Sequence, residues 1–226
     1  CCIYSFSLQY PAILFPGKTQ YVSGAGPANM EIYSVINSIH PLNWWQVGEE
    51  VRRLKPDLVI VRFWLPFMGP ALGTILRRIR KNKFTRIIAL TDNIIPHEKR
   101  IGDSSFTRYF LKGCDAFVTM SDKVMQDLRR FEPDKPARLS YHPLYDHFGA
   151  LLPKQVAREH LQIAGTDKIL LFFGFIRHYK GLDLLLDALH LLQPQMADPA
   201  SPLASLKLLI AGEFYESDKP YPQQIE

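Results

Sequence analysis

A regular alternation between two hydrophobic periods constrains the fold of this 226-residue chain more than any other feature. Apolar runs that are typical of strands alternate with segments in which apolar residues recur at helical spacing. The strand patterns are CIYSFS (2–7), DLVIVRF (57–63), RIIALT (86–91), DAFVTM (115–120), ARLSYH (137–142), KILLFF (168–173) and LKLLIAG (206–212). Strands separated by helices pair in parallel, so the sequence predicts an α/β fold with mostly parallel, doubly wound sheets.

Two helices are predicted from apolar spacing combined with start and stop signals. One begins near Pro70, and its inward face is formed by Leu72, Ile75, Leu76 and Ile79. The other is capped by Ser121 and ends before Pro133. Its inward face is formed by Val124, Leu128 and Phe131.

Further helices are predicted with less regular patterns. One covers 43–54 with Trp44, Val51 and Leu54 inward, one follows Ser104 as its cap, and PKQVAREHLQI (153–163) forms another. The leucine-rich segment 182–192 has polar residues only at Asp183, Asp187 and His190, so we expect this helix to be buried on most sides. A proline-rich surface loop is expected at 194–202.

The stretch HPLYDHFGALLPK (142–154) interrupts the strand and helix rhythm with two prolines and a glycine. It predicts a boundary between a domain at 1–145 and a domain at 146–226. The chain opens at Cys1 inside a strand pattern, has no initiator Met, and stops at Glu226 soon after another strand. We therefore expect an internal piece of a longer protein, with both domains incomplete.

Composition excludes several classes of protein. Three scattered cysteines, Cys1, Cys2 and Cys114, fit neither a disulfide framework nor a metal-ligand spacing, and favour a reducing, cytoplasmic setting. The most apolar region, 58–76, is interrupted by Arg62 and two prolines, so it is a poor membrane span.

The run RRIRKNKFTR (77–86) has six basic residues and no acidic one, in a chain of net charge +5. Two interpretations stay open for it. It forms a solvated helix end, where cations suit the helix dipole, or it touches anionic lipid at the inner face of a cell membrane. Nucleic-acid binding is not predicted, because only Phe84 is interleaved and no reader motif is present.

The segment GFIRHYKG (174–181) places two basic residues, Arg177 and Lys180, between a strand end and a helix start. The exposed N–H groups and positive dipole end of a helix favour an anion at such a point. Glycine spacing excludes a Walker loop and a G-x-G-x-x-G motif. The context favours a phosphate site with Gly174 and Gly181 at its two ends, and the alternative is a solvated turn.

A second polar loop, TDNIIPHEKRIGD (91–103), follows the strand RIIALT. At the carboxyl end of a parallel strand it can line a ligand cleft. Its candidate residues are Asp92, Asn93, His97 and Glu98. The alternative is an ordinary surface loop in which Asp and Asn satisfy turn geometry.

No metal site is predicted. His142, His147 and His178 share no helix face, and no carboxylate completes a ligand set. No nucleophile signature such as G-x-S-x-G is present either.

Four segments together resemble the retaining GT-B glycosyltransferases of family four, also called group 1, from bacteria. They occur in that family's order and spacing: LKPDLVIVRFW, IIALTDNIIPHE, CDAFVTMSDKVMQDL and ILLFFGFIRHYKGLDLLLDAL. The resemblance implies two Rossmann-like domains, the first on the acceptor side and the second binding a nucleotide diphosphate sugar. It implies sugar transfer to the hydroxyl of a glycan or lipid-linked acceptor, with no cofactor.

The resemblance also implies roles for individual residues. Lys180 matches the family's diphosphate-binding lysine, and Arg177 would replace an arginine that the family has where this chain has Phe175. His97 best matches a histidine that approaches the transferred sugar. The family's glycine-rich loop and paired glutamates would lie before Cys1 and after Glu226, so we expect the 226-residue chain alone to be inactive.

Two alternatives to this function stay open. Another GT-B enzyme, such as a nucleotide-sugar epimerase or an inverting transferase, would share the fold. A non-catalytic relic that binds a nucleotide sugar would share the phosphate site.

Overall fold

The structure, a computed structural model, describes residues 1–11, 26, 29–96, 100–144 and 149–213. The described residues divide into two compact units, one ending at Leu144 and the other beginning at 149. The predicted boundary between 145 and 146 lies outside the described residues. Every strand pairing in both units is parallel. The prediction of a mixed α/β class with parallel sheets is therefore confirmed.

The first unit contains two parallel sheets. β1 (Cys2–Leu8) pairs with β2 (Glu31–Asn37), and the second sheet has the order β3, β4, β5, β6. These four strands are Leu58–Phe63, Arg86–Thr91, Ala116–Thr119 and Ala137–Leu139. The helices are α1 (Pro41–Leu54), α2 (Gly69–Ile79), α3 (Asp103–Leu111) and α4 (Asp122–Phe131). Because these four strands pair in parallel, with a helix connecting each strand to the next, all four carboxyl ends lie at one edge of the sheet.

The core of the first unit lies between the second sheet and its helices. The predicted face of α2 is fully buried, and the Phe63 and Phe110 rings stack with centroids 4.1 Å apart. Gly48 and Gly73 allow close helix packing, because a Cβ at either position would lie under 3.0 Å from a side chain of the neighbouring helix. Ser121 caps α4 as predicted, with its hydroxyl accepting from the Val124 N–H at 3.3 Å.

One buried carboxylate joins α1 to α2. Glu49 is 7% exposed and accepts hydrogen bonds from Arg52, Arg53 and Arg78, the last at 2.7 Å from α2. The Arg52 hydrogen bond is the largest of the effects that together lower the pKa of Glu49 to about 2, against the opposing effect of burial. Glu49 is therefore ionised at neutral pH and ties the two helices together.

Three of the six basic residues in the run at 77–86 take part in tertiary contacts. Arg77 lies over the Tyr109 ring, Arg78 pairs with Glu49, and Arg80 pairs with Asp115. These three arginines stabilise the packing of the first unit, which neither interpretation of the run anticipated.

Several sequence predictions for the first unit were wrong. Strand β2 was not predicted, although EIYSVIN is rich in the β-branched and aromatic residues that are typical of strands. The N-cap of α3 is Gly102 rather than Ser104, because Asp103 accepts from the Arg100 N–H and starts the helix earlier. Leu54 is 61% exposed at the last turn of α1, where the helix leaves the core.

The second unit is smaller. α5 (Lys154–His160) precedes β7 (Lys168–Phe173), and α6 (Leu182–Ala197) connects β7 to its parallel neighbour β8 (Leu206–Ala211). Its buried core is formed by Ile176 and Leu182, with Phe172, Leu185, Leu186 and Leu208 packed against them.

Two predictions about α6 were also wrong. Leu184 and Leu191 are 70% and 78% exposed, because the two described strands cover only one side of the helix. The helix also continues through Pro194 to Ala197, so the predicted loop begins later. Pro194 lies on the exposed side of the last turns, where the loss of one backbone hydrogen bond is tolerated more easily.

Among the described residues, no helix is both long enough and apolar enough to cross a bilayer.

Candidate functional site

Two glycines, Gly174 and Gly212, lie at the carboxyl ends of the neighbouring strands β7 and β8. Gly174 has a φ of 106°, in the left-handed region, and its N–H donates to the Ala211 carbonyl at 2.9 Å. A Cβ on Gly212 would lie 2.0 Å from the Gly174 carbonyl oxygen, so only glycine permits this approach. Gly212 was not singled out from the sequence, although a strand that ends in Ala-Gly is a signal for close backbone contact.

The turn after β7 brings Lys180 back over Gly174. A 3₁₀ turn at His178–Lys180 reverses the chain, with the Lys180 N–H donating to the Arg177 carbonyl at 2.9 Å. The Lys180 Nζ lies 3.0 Å from the place that a Cβ on Gly174 would occupy. The ammonium group therefore lies at the strand end, in space that glycine leaves open.

The amino end of α6 meets this turn directly. Gly181 is the N-cap, with a φ of 68°, and no side chain caps the helix. The Gly181 carbonyl accepts the first helical hydrogen bond from Leu185 at 3.1 Å. First-turn N–H groups have no partner inside a helix, so this end suits an anion.

Two basic and two acidic residues lie around this helix end and the neighbouring strand ends. Asp183 adds a carboxylate to the first turn of α6, which by itself disfavours an incoming anion. Arg177 is half-buried, and its guanidinium lies 5.9 Å from the Tyr179 ring centroid. Glu213, directly after Gly212, adds a second carboxylate, and its carbonyl accepts from the Ile176 N–H at 2.9 Å. The two cations and two carboxylates balance in number, and the cation placed nearest to Gly174 is the Lys180 ammonium.

The first unit has its own strand-end residues. The Asp92 N–H follows β4 and donates to the Phe63 carbonyl at 2.9 Å. Its Oδ2 accepts from Arg62 Nε at 2.7 Å, while Oδ1 is buried with no hydrogen-bond partner among the described residues. Asn93 follows and is half-buried. Of the predicted loop residues, His97 and Glu98 lie outside the described residues.

Two further buried hydroxyls at strand ends have no hydrogen-bond partner in the described part of the chain. They are Ser38 Oγ, after β2, and Thr119 Oγ1, at the end of β5. A buried polar group without a partner costs about 1–3 kcal/mol, so such groups are uncommon away from functional sites. Arg62, Ser38 and Thr119 were not predicted from the sequence. A polar residue that ends an apolar run is the signal that could have found them.

A cavity of about 160 Å³ lies beside the loop that follows Asn93. It is lined by Ile94, Ile95, Pro96, Arg100, Asp103, Ser104, Thr107 and Phe131. One water occupies about 30 Å³ of liquid, so the cavity holds a few waters or a small polar group rather than a nucleotide.

Among the described residues, no group of three His, Cys, Asp or Glu side chains is placed to hold a metal ion. The predicted residues thus form two sets, one in each unit. Gly174, Arg177, Lys180 and Gly181 share one turn of the second unit, and Asp92 and Asn93 follow β4 in the first.

The chain matches no protein-family model, and no curated protein with which it was compared matches it.

Proposed function

We propose that this protein is a glycosyltransferase of GT-B architecture that transfers a sugar from a nucleotide diphosphate sugar to an acceptor hydroxyl with retention of configuration. The observation that carries the proposal is the position of Lys180 over Gly174, beside the uncapped amino end of α6. A parallel α/β unit binds ligands at the carboxyl ends of its strands, and this is where the cation lies.

The proposed chemistry needs positive charge at this point. When the sugar leaves the donor, negative charge builds on the departing nucleotide diphosphate. Lys180, Arg177 and the first-turn N–H groups of α6 stabilise that charge in this proposal, with no divalent ion required. A hydrogen bond to a charged group contributes about 1.5–3 kcal/mol, so Lys180→Ala lowers the transfer rate of the full protein roughly tenfold to hundredfold.

The first unit then supplies the acceptor side. Asp92, at the end of β4, has a buried carboxylate oxygen with no hydrogen-bond partner among the described residues, and in this proposal it belongs to the sugar or acceptor side. In this proposal, His97 contacts the sugar near its reacting carbon, and Asn93 and Glu98 are further candidates for the sugar or acceptor side. His97→Ala with normal turnover would remove that role. The acceptor would be a glycan or a lipid-linked glycan, and the protein would act in the cytoplasm or at the inner face of the cell membrane.

One residue favours a second candidate, a protein that binds a nucleotide sugar without turnover. Phe175 follows the first glycine of the turn, where the related transferases have an arginine, and it is 57% exposed. Loss of that cation weakens stabilisation of the leaving group more than it weakens ground-state binding.

The test begins with nucleotide binding, which involves only the second unit. UDP, GDP and ADP are each titrated into the full protein by calorimetry, and the tightest ligand is used with the variants. Lys180→Ala is expected to weaken binding at least tenfold. Lys154→Ala is the matched control, because Lys154 is an exposed cation at the start of α5. Equal binding by Lys180→Ala and the control, or no diphosphate binding at all, would contradict the proposal.

Turnover then separates the candidates. The full protein is incubated with the corresponding nucleotide sugar and a panel of acceptors, and the anomeric coupling constant of any product is read by NMR. Retention supports the proposed reaction, and inversion supports an inverting transferase. Change at another carbon of the sugar supports an epimerase, and binding without any product supports the second candidate.

A further inference from the structure

One edge of the first unit carries a group of exposed cations, most of which form no ion pair among the described residues. We call it the basic edge, and it consists of the end of α1, the loop 55–57, the adjoining Leu58 and the segment 80–86. Its exposed members are Arg53, Leu54, Lys55, Asp57, Leu58, Arg80, Lys81, Lys83, Phe84 and Arg86.

Hydrogen bonds hold the two parts of the basic edge together. Asn82 donates to the Arg52 carbonyl at 3.4 Å, and the Thr85 hydroxyl donates to the Pro56 carbonyl at 2.7 Å. The Arg86 N–H donates to the Asp57 carbonyl at 3.0 Å. The edge is therefore a built surface, in which cations from separate segments are kept side by side.

Two of the cations occupy backbone positions that usually belong to glycine or asparagine. Lys55 and Lys83 are the C-caps of α1 and of the 3₁₀ turn at Arg80–Asn82, with φ values of 45° and 55°. A side chain in the left-handed region is strained. Lysine at both positions places an ammonium group at the end of the edge despite that strain.

The charge of the basic edge is mostly uncompensated. In the described part of the chain, no carboxylate pairs with Lys55, Lys81, Lys83 or Arg86, whereas Arg53 pairs with Glu49 and Arg80 pairs with Asp115. Asp57 is the one acidic residue within the two loops. The edge therefore attracts anions, and the attraction weakens with salt.

Apolar side chains are interleaved with these cations. Phe84 is 54% exposed between Lys83 and Thr85, while Leu54 and Leu58 are 61% and 46% exposed beside Lys55 and Arg86. Cations beside exposed aromatic and aliphatic groups match the interface of an anionic bilayer. A nucleic acid would satisfy the cations but give the two leucines nothing to contact.

We propose that the basic edge binds the surface of a bilayer that contains anionic lipid, with the cations against the headgroups and Phe84 at the boundary with the acyl chains. The surface belongs wholly to the first unit and uses none of the residues of the candidate donor site. The proposal therefore stands or falls separately from the proposed function.

The test measures partition of the 226-residue chain onto vesicles by co-sedimentation. Vesicles of phosphatidylcholine alone are compared with vesicles containing 30 mol% phosphatidylserine. Binding is expected only to the anionic vesicles and is expected to fall steeply when NaCl is raised to about 0.5 M. Inorganic phosphate at the same ionic strength as the salt control is expected to release no additional protein.

The variants remove charge without disturbing the backbone. Lys55→Asn with Lys83→Asn keeps residues that tolerate the left-handed region, and each lost cation lowers the partition coefficient roughly fivefold. Lys112→Gln with Lys154→Gln is the control, because both lysines are exposed and lie outside the basic edge. Phe84→Ser tests the apolar contact and is expected to weaken binding severalfold at constant charge.

Three outcomes would overturn the proposal. They are equal binding to neutral and anionic vesicles, an equal loss in the control pair, and unchanged binding in both the lysine pair and Phe84→Ser. Binding of a 20-base-pair duplex that depends on the two lysines, combined with no vesicle binding, would assign the edge to nucleic acid instead. Thermal melting of each variant confirms that the fold is intact.

Discussion

The ε-amino nitrogen of Lys180 lies 3.0 Å from the point where a Cβ atom on Gly174 would stand. The two residues meet because the 3₁₀ turn at His178–Lys180 reverses the chain before α6 begins. Glycine is required here for its backbone conformation and for the space above it. The anion site proposed for the second unit therefore depends on a residue that contributes no side chain.

Gly174→Ala is expected to destabilise the protein and to move Lys180. A φ of 106° is strained for alanine, so the free energy of unfolding should fall by about 1–3 kcal/mol, measured by urea denaturation. Gly165→Ala is the control, because nothing lies within 4 Å of its Cβ position. The control should be neutral or stabilising by up to about 1 kcal/mol. Equal effects of the two substitutions would contradict the prediction.

Thr91 and Thr119 form a matched pair for testing the buried hydroxyls. They are register partners on β4 and β5 and are both fully buried. The Thr91 hydroxyl donates to the Val118 carbonyl at 3.2 Å, whereas the Thr119 hydroxyl has no hydrogen-bond partner among the described residues. Thr91→Val should cost about 1 kcal/mol, while Thr119→Val should be neutral or stabilising by a similar amount. Thermal and urea unfolding of both variants give the comparison. A clear loss of stability in Thr119→Val would mean that its hydroxyl does have a partner.

The stacked pair Phe63 and Phe110 should be the most sensitive part of the first unit's core. Both rings are fully buried, so Phe63→Ala is expected to lower the free energy of unfolding by about 3–5 kcal/mol. Phe106→Ala is the control, since that ring is 40% exposed on α3. Urea denaturation is the measurement, and a cost for Phe63→Ala no larger than that of the control would refute the assigned core.

Glu49 should make stability depend on pH in the acid range. Its pKa is about 2 in the folded protein and 4.5 ordinarily, so the unfolded chain binds more protons between these values. The contribution of Glu49 to the free energy of unfolding is present above about pH 4.5 and is lost as pH falls towards 2. Urea unfolding from pH 6 to pH 2.5 should show a steeper decline in the native chain than in Glu49→Gln. Parallel curves would exclude a role for this carboxylate.

Strands and helices that are marked by a continuous local pattern were predicted well. RIIALT and KILLFF coincide with β4 and β7, and the face of α2 is buried as its spacing indicated. In these elements, the intrinsic propensity of the residues and the burial of one face both favour the same secondary structure. The predictions for α6 and for Leu54 were wrong because burial depends on which neighbours cover an element, and periodicity does not report the neighbours.

The candidate site was predictable where it lies within a single turn. Gly174, Arg177, Lys180 and Gly181 lie within one eight-residue segment, so spacing was enough to group them. Gly212, Arg62 and Thr119 come from other strands and acquire their roles through pairing, so no local pattern marks them. The cations of the basic edge are likewise joined by hydrogen bonds between separate loops.

By itself, the sequence determined the alternating elements, the parallel α/β class and a cationic turn between a strand and a helix, because each depends on residues that are close in the chain. The tertiary structure alone decided which arginines of the basic run are used in packing and which cations stay available. It also placed the Lys180 amine over Gly174 and left the Asp92 and Thr119 oxygens buried without described partners. These features depend on packing and hydrogen bonds between segments that are distant in sequence, and those contacts form only in the folded chain.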